Sequence, residues 1–278
     1  MSDELTVTIL GTGTPSPLID RMGGSVLVEG GGDKFLIDCG RGAAQRVVQT
    51  DTPLREIETV FFTHLHYDHN VGLPDLWLSG WVFGRKKPVT VYGPPGTEAM
   101  MEHIKKAFEV DVHIRRDLDE KFEPEGIVLQ GIDIGPGFVY EQGGLRVESF
   151  EVDHHPVPDA MGYIVDYENR RAVFSGDTRY MPSLGSIAKG ADLLVHEVAA
   201  PDSIWKRSKA IRREPSQTAA IIDHHTTAEQ AAKIFVEARP RLAVFYHLVG
   251  GPGAEEEVIT STKSIYDGDC ILADDLTK

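Results

Sequence analysis

Short runs of β-branched and apolar residues separated by turns dominate the first half of the chain. Residues 5–10 (LTVTIL), 25–29 (SVLVE), 34–38 (KFLID), 59–62 (TVFF) and 89–92 (VTVY) each read as a strand. Between them, Gly42–Gln49 and Thr97–Phe108 have helical composition, the second after the turn Gly93-Pro94-Pro95-Gly96, with Thr97 as its expected cap. In the second half, residues 138–141 and 145–152 flank a Gly-Gly turn, and 162–167 and 171–175 flank Glu168-Asn169-Arg170, which predicts two hairpins. A strand at 192–197, a helix from about Thr227 to Ala238, a strand at 241–247, a helix near Glu255–Tyr266 and a last strand, CILA, complete the pattern. With no low-complexity segment or linker, one domain spanning residues 1–278 is expected, with a sizeable core.

Candidate ligands stand directly after these apolar runs. VFF leads to His64, SFEV to His154, AVFS to Asp177 and LAVFY to His247. Strand ends gather loops into a crevice in layered α/β architectures, so this placement predicts one shared site. Within Thr63-His64-Leu65-His66-Tyr67-Asp68-His69, the first two histidines alternate along an extended segment and can share a face, while Asp68 and His69 follow a turn. Imidazole and carboxylate donors without thiolate suit zinc, with manganese or iron as alternatives.

Charge narrows the partners. Lys plus Arg is 28 and Asp plus Glu is 43, a formal charge of −15, which disfavours broad attraction to nucleic acid or anionic membrane. No stretch has the roughly 20 apolar residues that cross a bilayer, and the start lacks a basic segment followed by an apolar core, so a cytoplasmic protein is expected. The two cysteines, Cys39 and Cys270, read as plain buried thiols.

HLHYDH matches the HxHxDH pattern of the metallo-β-lactamase superfamily, and the likeness runs along almost the whole chain: ILGTGTPSP, FLIDCGRGAAQR, VDHHPVPDAMGY, FSGDT, LVHE and HTTAEQAA. The chain thereby resembles the subgroup containing ribonuclease Z and the arylsulfatase-like phosphodiesterases. The resemblance implies an α+β fold, a four-layer αββα sandwich, and a hydrolase with two zinc ions. One metal would be held by His64, His66 and His154, the other by Asp68, His69 and His247, with Asp177 bridging them. The family's spacing in VDHHPV selects His154 over His155. Glu197 and His225 would assist proton transfer to the leaving group, with Asp68 also orienting the nucleophile, a hydroxide shared by the metals. Alternatively, Glu197 and His196 only satisfy hydrogen bonds, and His224 or His225 caps the following helix. Asp38 and Thr63 are expected to support the metal loop. Related enzymes are commonly dimers, so a homodimer is a further implication.

Other motifs carry less. Gly11-Thr12-Gly13-Thr14 lacks the third glycine of a dinucleotide loop and reads as a tight turn. Arg85-Lys86-Lys87 reads as solvated surface, and so does Lys206–Arg213, unless the latter is a mobile loop holding an anionic substrate. Bacterial ribonuclease Z carries a long tRNA-gripping arm between the third metal histidine and the bridging aspartate. Here only 23 positions separate His154 from Asp177, and a hairpin fills them. His247-Leu248-Val249 also stands where that family usually has His, any residue, Ser. The expected substrate is therefore a small anionic ester, a phosphodiester or sulfate ester. The alternatives are ribonuclease Z-like tRNA 3′ processing, lactone or amide hydrolysis, and a non-catalytic metal-binding module.

Overall fold

Strands buried on both faces read as near-continuous apolar runs, and that is how this chain builds two stacked sheets. The computed structural model describes residues 4–278. β1 (Thr6–Gly11), β2 (Ser25–Gly30), β3 (Asp33–Ile37), β4 (Thr59–Phe61), β5 (Val89–Gly93) and β6 (Leu129–Asp133) form a six-stranded sheet in that order. β7 (Val139–Gln142), β8 (Leu145–Glu151), β9 (Met161–Tyr167), β10 (Arg170–Phe174), β11 (Leu193–Ala199), β12 (Leu242–Val249) and β13 (Cys270–Leu272) form a seven-stranded sheet, also in sequence order. Each sheet is antiparallel at one side and parallel at the other, the switch falling at β3 and at β10.

The period of two sorts the side chains into layers. Val26, Val28, Phe35, Ile37 and Phe61 point between the sheets, where they meet Val147, Met161, Tyr163, Phe174 and Val195. Their neighbours Leu27, Leu36 and Val60 point outward onto α1 (Ala43–Gln49), α2 (Leu73–Val82) and α3 (Thr97–Ala107), with Val112 of α4 (Glu109–His113). On the second sheet, Val173, Leu194 and Phe245 pack against α5 (Ser183–Ile187), α8 (Ala228–Ala238) and α9 (Glu255–Lys263). The remaining helices, α6 (Pro201–Ala210) and α7 (Pro215–Asp223), form a helical hairpin between β11 and α8. The result is the expected αββα order, a metallo-β-lactamase fold.

Both predicted hairpins are present, β7–β8 and β9–β10, the first turning at Gly143 and Gly144, each with positive φ. Thr227 caps α8 in a reciprocal capping box with Gln230, so neither His224 nor His225 has that role. Thr97 does not cap α3: Gly96, with φ of 106°, occupies the cap, and the Thr97 hydroxyl donates to the Pro94 carbonyl at 2.8 Å. The apolar pattern misses α2, α4, α5, α6, α7 and β6. In α6 only Ile204 and Ser208 are buried, one i, i+4 stripe too narrow to stand out among the cations of 206–213. That segment is therefore the end of a helix and its turn, not a loop.

Arg85 departs furthest from the surface reading, being 1% exposed. Its stem fills the space beside Trp77 and Trp81, and Nη2 donates to the carbonyls of Trp77 and Gly126. Burial pulls its guanidinium pKa down to about 10, against the attraction of Glu58. Nε and Nη1 have no hydrogen-bond partner among the described residues. A buried cation so poorly matched contributes volume more than charge. Arg85→Met is expected to be at least as stable as the wild type in urea unfolding, and Arg85→Ala about 2–5 kcal/mol less stable than Arg85→Met. A loss above about 2 kcal/mol in the methionine variant would show that the charge itself holds the end of α2.

Candidate metal centre

The ligand candidates converge because most of them leave the same edge of the two sheets. His64 stands three positions beyond β4, His154 three beyond β8 and Asp177 three beyond β10. The edges are locked together by two backbone bonds, from Met161 to the Thr63 carbonyl at 2.9 Å and from Leu248 to the Thr12 carbonyl at 3.0 Å. His247 arrives differently: it lies within β12, where the register with β11 slips between Glu197 and Val198 and leaves it as the extra, bulged residue, with φ of 42°. A bulge re-aims a side chain, and here it turns the imidazole into the site.

All nine residues singled out in the sequence lie together. Ring nitrogens of His64 and His66 are 3.0 Å apart and those of His66 and His154 3.4 Å apart. His69 Nε2 lies 3.3 Å from His247 Nε2, which is 3.4 Å from Asp68 Oδ2. Asp177 stands between the two groups, Oδ2 3.4 Å from His69 Nε2 and 3.9 Å from His64 Nε2, and Oδ1 3.3 Å from His247 Nδ1. His155 is exposed and takes no part.

Surrounding hydrogen bonds fix the imidazole tautomers. Asp38 accepts from the Thr63 amide at 2.8 Å and from the Thr63 hydroxyl at 2.9 Å, so that hydroxyl receives the His64 Nδ1 proton at 3.0 Å. Asp38 also accepts from His69 Nδ1 at 2.8 Å, and the His224 carbonyl accepts from His154 Nδ1 at 2.9 Å. With Nδ1 committed in each, Nε2 faces the centre. Gly23 and Gly40 hold the loop in place, because a Cβ on them would come within 2.8 and 2.4 Å of the Asp68 carbonyl. Asn70, absent from the sequence reading, donates to the carbonyls of Leu65 and His66 at 3.1 and 2.8 Å and closes the turn.

Electrostatics follow from burial and from this crowding. Burial holds His64 and His66 below the ordinary imidazole range and His154 down to about 4, favouring lone pairs over protons. For Asp177 burial opposes ionisation, but the imidazoles of His247, His69 and His64 outweigh it and keep the carboxylate charged. For Asp68 burial is likewise outweighed by His247 and His69. His69 is held above its usual value, since Asp177 and Asp38 overcome burial. Four groups of three residues each bring their donor atoms within 4.8 Å of one another: His64/His66/His154, His64/His69/Asp177, Asp68/His69/His247 and Asp177/His225/His247. Asp177 Oδ1 and His247 Nδ1 are buried with no hydrogen-bond partner among the described residues. Converging nitrogen lone pairs, ionised carboxylates and orphaned polar atoms fit divalent cations. Cys39 is not a competitor: its thiol is buried in the α1–α2 core and pushed far up by burial.

Beside these donors, Glu197 Oε2 accepts from His225 Nδ1 at 3.1 Å while Oε1 accepts from the amides of Thr178 and Thr226 at 3.2 and 2.9 Å. Burial works against a charge on His225, but Glu197, and Asp177 after it, lift its pKa to about 9. His196, next along β11, points to the other face, against Phe235. The donors open into a cavity of about 270 Å³ whose far wall comes from α6 and α7. A larger cavity of about 370 Å³ lies at the opposite ends of the strands, lined by residues such as Leu5, Leu193 and Leu242, and meets none of these groups.

Residues 33–248 match the family model of the β-lactamase superfamily domain. A ribonuclease Z of Mycolicibacterium gilvum is 32% identical over 98% of this chain and 94% of its own length. Among solved structures, the metallo-β-lactamase fold protein YhfI from Bacillus subtilis aligns with a TM-score of 0.74 at 18% identity, covering 98% of each chain. The short form of human tRNase Z aligns with a TM-score of 0.68 at 20% identity, covering 98% of this chain and 97% of its own. No helix among the described residues is long and apolar enough to cross a membrane. With its family match, its sandwich and its buried cluster of histidines and aspartates, the chain belongs to the β-lactamase superfamily as a metal-dependent hydrolase of the metallo-β-lactamase fold.

Proposed function

We propose that the chain is a dinuclear phosphodiesterase acting on small anionic esters. The observation that carries the reading is the pair of three-donor groups, His64/His66/His154 and Asp68/His69/His247, with Asp177 between them. Zinc suits this thiolate-free set, and manganese or iron share its preference for imidazole and carboxylate. Bound there, two cations would lower the pKa of a shared water toward neutrality and draw charge from the ester oxygens. The protein's own residues do the rest. Asp68 Oδ2 is positioned to orient the attacking water, and the Glu197 carboxylate holds the His225 ring so that Nε2, its uncommitted nitrogen, faces the cavity. From there it donates a proton to the departing oxygen. Burial of the donors behind the α6–α7 wall limits competing water.

The interval between His154 and Asp177 supports a small substrate: it holds six loop residues, 155–160, and the β9–β10 hairpin, with no room for a tRNA-gripping arm. The second reading, tRNA 3′ processing, is favoured by the name of the full-length relative. Purified protein loaded with zinc or manganese is tested against a chromogenic phosphodiester, an aryl sulfate, a lactone and a precursor tRNA, with a chelator control. Turnover of the phosphodiester, lost on chelation, is the expected result. Cleavage of precursor tRNA alone would overturn the substrate assignment, and no turnover with metal bound would overturn the enzyme reading.

Two variants separate the roles. Asp177→Asn is expected to lower bound metal below two ions per chain by elemental analysis and to reduce kcat/KM by more than about a thousandfold. Glu197→Gln keeps the metal and is expected to lower kcat by about 10²–10⁴-fold with little change in KM. If Glu197→Gln lost metal instead, the pair would be structural.

Metal should also hold the fold together, because the donors join loops from both sheets. Zinc at about a hundred times its Kd is expected to add roughly 2.7 kcal/mol to unfolding stability, and a chelator to remove it. Thermal unfolding with and without chelator measures this, and an unchanged Tm would count against a buried metal site.

A further inference from the structure

Opposite the donors, the cavity wall is built from Ile204 and Arg207 of α6, Ile211 and Arg213 of the turn, Ile221 of α7 and Val249 at the end of β12. Acids outnumber bases 43 to 28, and Arg21, Arg46, Arg115, Arg171 and Arg179 are all paired with carboxylates. Arg55, Arg212 and Arg239 have no such partner among the described residues, but they do not line this cavity. Neither Arg207 nor Arg213 has a hydrogen-bonded or ion-paired side-chain partner among the described residues, although both face the cavity. Arg207 is nonetheless seated: a Cβ on Gly251, where φ is 84°, would fall 2.2 Å from Nη1, so the guanidinium rests where only glycine leaves room. The donor cluster already supplies the charge that the reacting ester needs. Two further guanidiniums across the same cavity, flanked by isoleucines, match a second anion joined to the first by an apolar body.

Resting on the phosphodiesterase reading, we infer that the α6–α7 hairpin is a specificity element selecting esters with a second phosphate. Arg207 and Arg213 hold that phosphate, and Ile204, Ile211, Ile221 and Val249 hold the body between. The cavity, about 270 Å³, is the size of a small ligand rather than a folded one.

Binding of thymidine 3′,5′-bisphosphate and thymidine 5′-monophosphate to the metal-loaded protein, followed by titration calorimetry, tests this. The wild type is expected to bind the bisphosphate at least about tenfold more tightly. In the double variant Arg207→Ala/Arg213→Ala the preference is expected to shrink to about twofold or less while monophosphate affinity is kept. Arg207→Lys/Arg213→Lys, which retains the charge but not the fork, is expected to fall between and guards against a misfolded alanine variant. Equal affinities in the wild type, or a preference surviving in the alanine variant, overturns the inference. Precursor tRNA displacing the bisphosphate at concentrations below the bisphosphate's own Kd overturns the small-ligand assignment. The readout is binding, so failure to hydrolyse any diester strikes the phosphodiesterase reading and leaves this measurement to decide the role of the arginines.

Discussion

One buried carboxylate organises the centre. Asp38 stands just past β3 with φ of 60°, is 1% exposed, and accepts from the Thr63 amide, the Thr63 hydroxyl and His69 Nδ1. Those bonds compensate the cost of taking its charge out of water. They also determine which nitrogen of His64 and His69 carries a proton, and so which lone pairs face inward. Asp38 thereby turns the end of a structural strand into the reference point for both donor groups. The left-handed backbone, tolerated by Asp better than by most residues, lets one side chain reach both Thr63 and His69, at the two ends of the ligand segment.

Topology supplies the remaining convergence. β4 and β5 run parallel in the first sheet, and β10, β11 and β12 run parallel in the second, with β8 matching their direction through two antiparallel steps. Their C-terminal ends share an edge, where chain leaving each strand is free of the ladder and can present polar side chains. At β12 the strand continues past the donor, so a bulge does what a strand end does elsewhere.

These features were unequally legible. Strands buried on both sides announced themselves as β-branched runs, and a ligand-type residue following each run marked the site because strand ends are where loops meet. Family resemblance points to Glu197 and His225, while Asp38 and Thr63 are expected only to support the metal loop; neither pair's bond has a local signal, since spacings of 25 and 28 residues carry none. The α6–α7 hairpin was hidden because its buried stripe is short and its cations look like solvated surface. Arg85 was hidden for the opposite reason: nothing in a run of three cations reveals that one stem fills a gap beside two tryptophans.

The whole-chain charge is a weaker guide to substrate than the shape of the site. At physiological ionic strength charges are screened over about 8 Å, so most of the excess acids have little influence on a ligand at the donors. The cavity itself presents two guanidiniums with no ion-pair partner among the described residues on one wall and acids committed to donors or to His225 on the other. A net charge of −15 is therefore compatible with binding a phosphate-rich molecule. Reach is what supports the small-substrate proposal: a macromolecular RNA needs contacts well away from the scissile bond to be held in register, and the loop and hairpin between His154 and Asp177 extend no arm to make them. On the small-ester reading proposed above, recognition comes from the cavity wall itself, and a second anionic handle on the ester gives Arg207 and Arg213 something to hold.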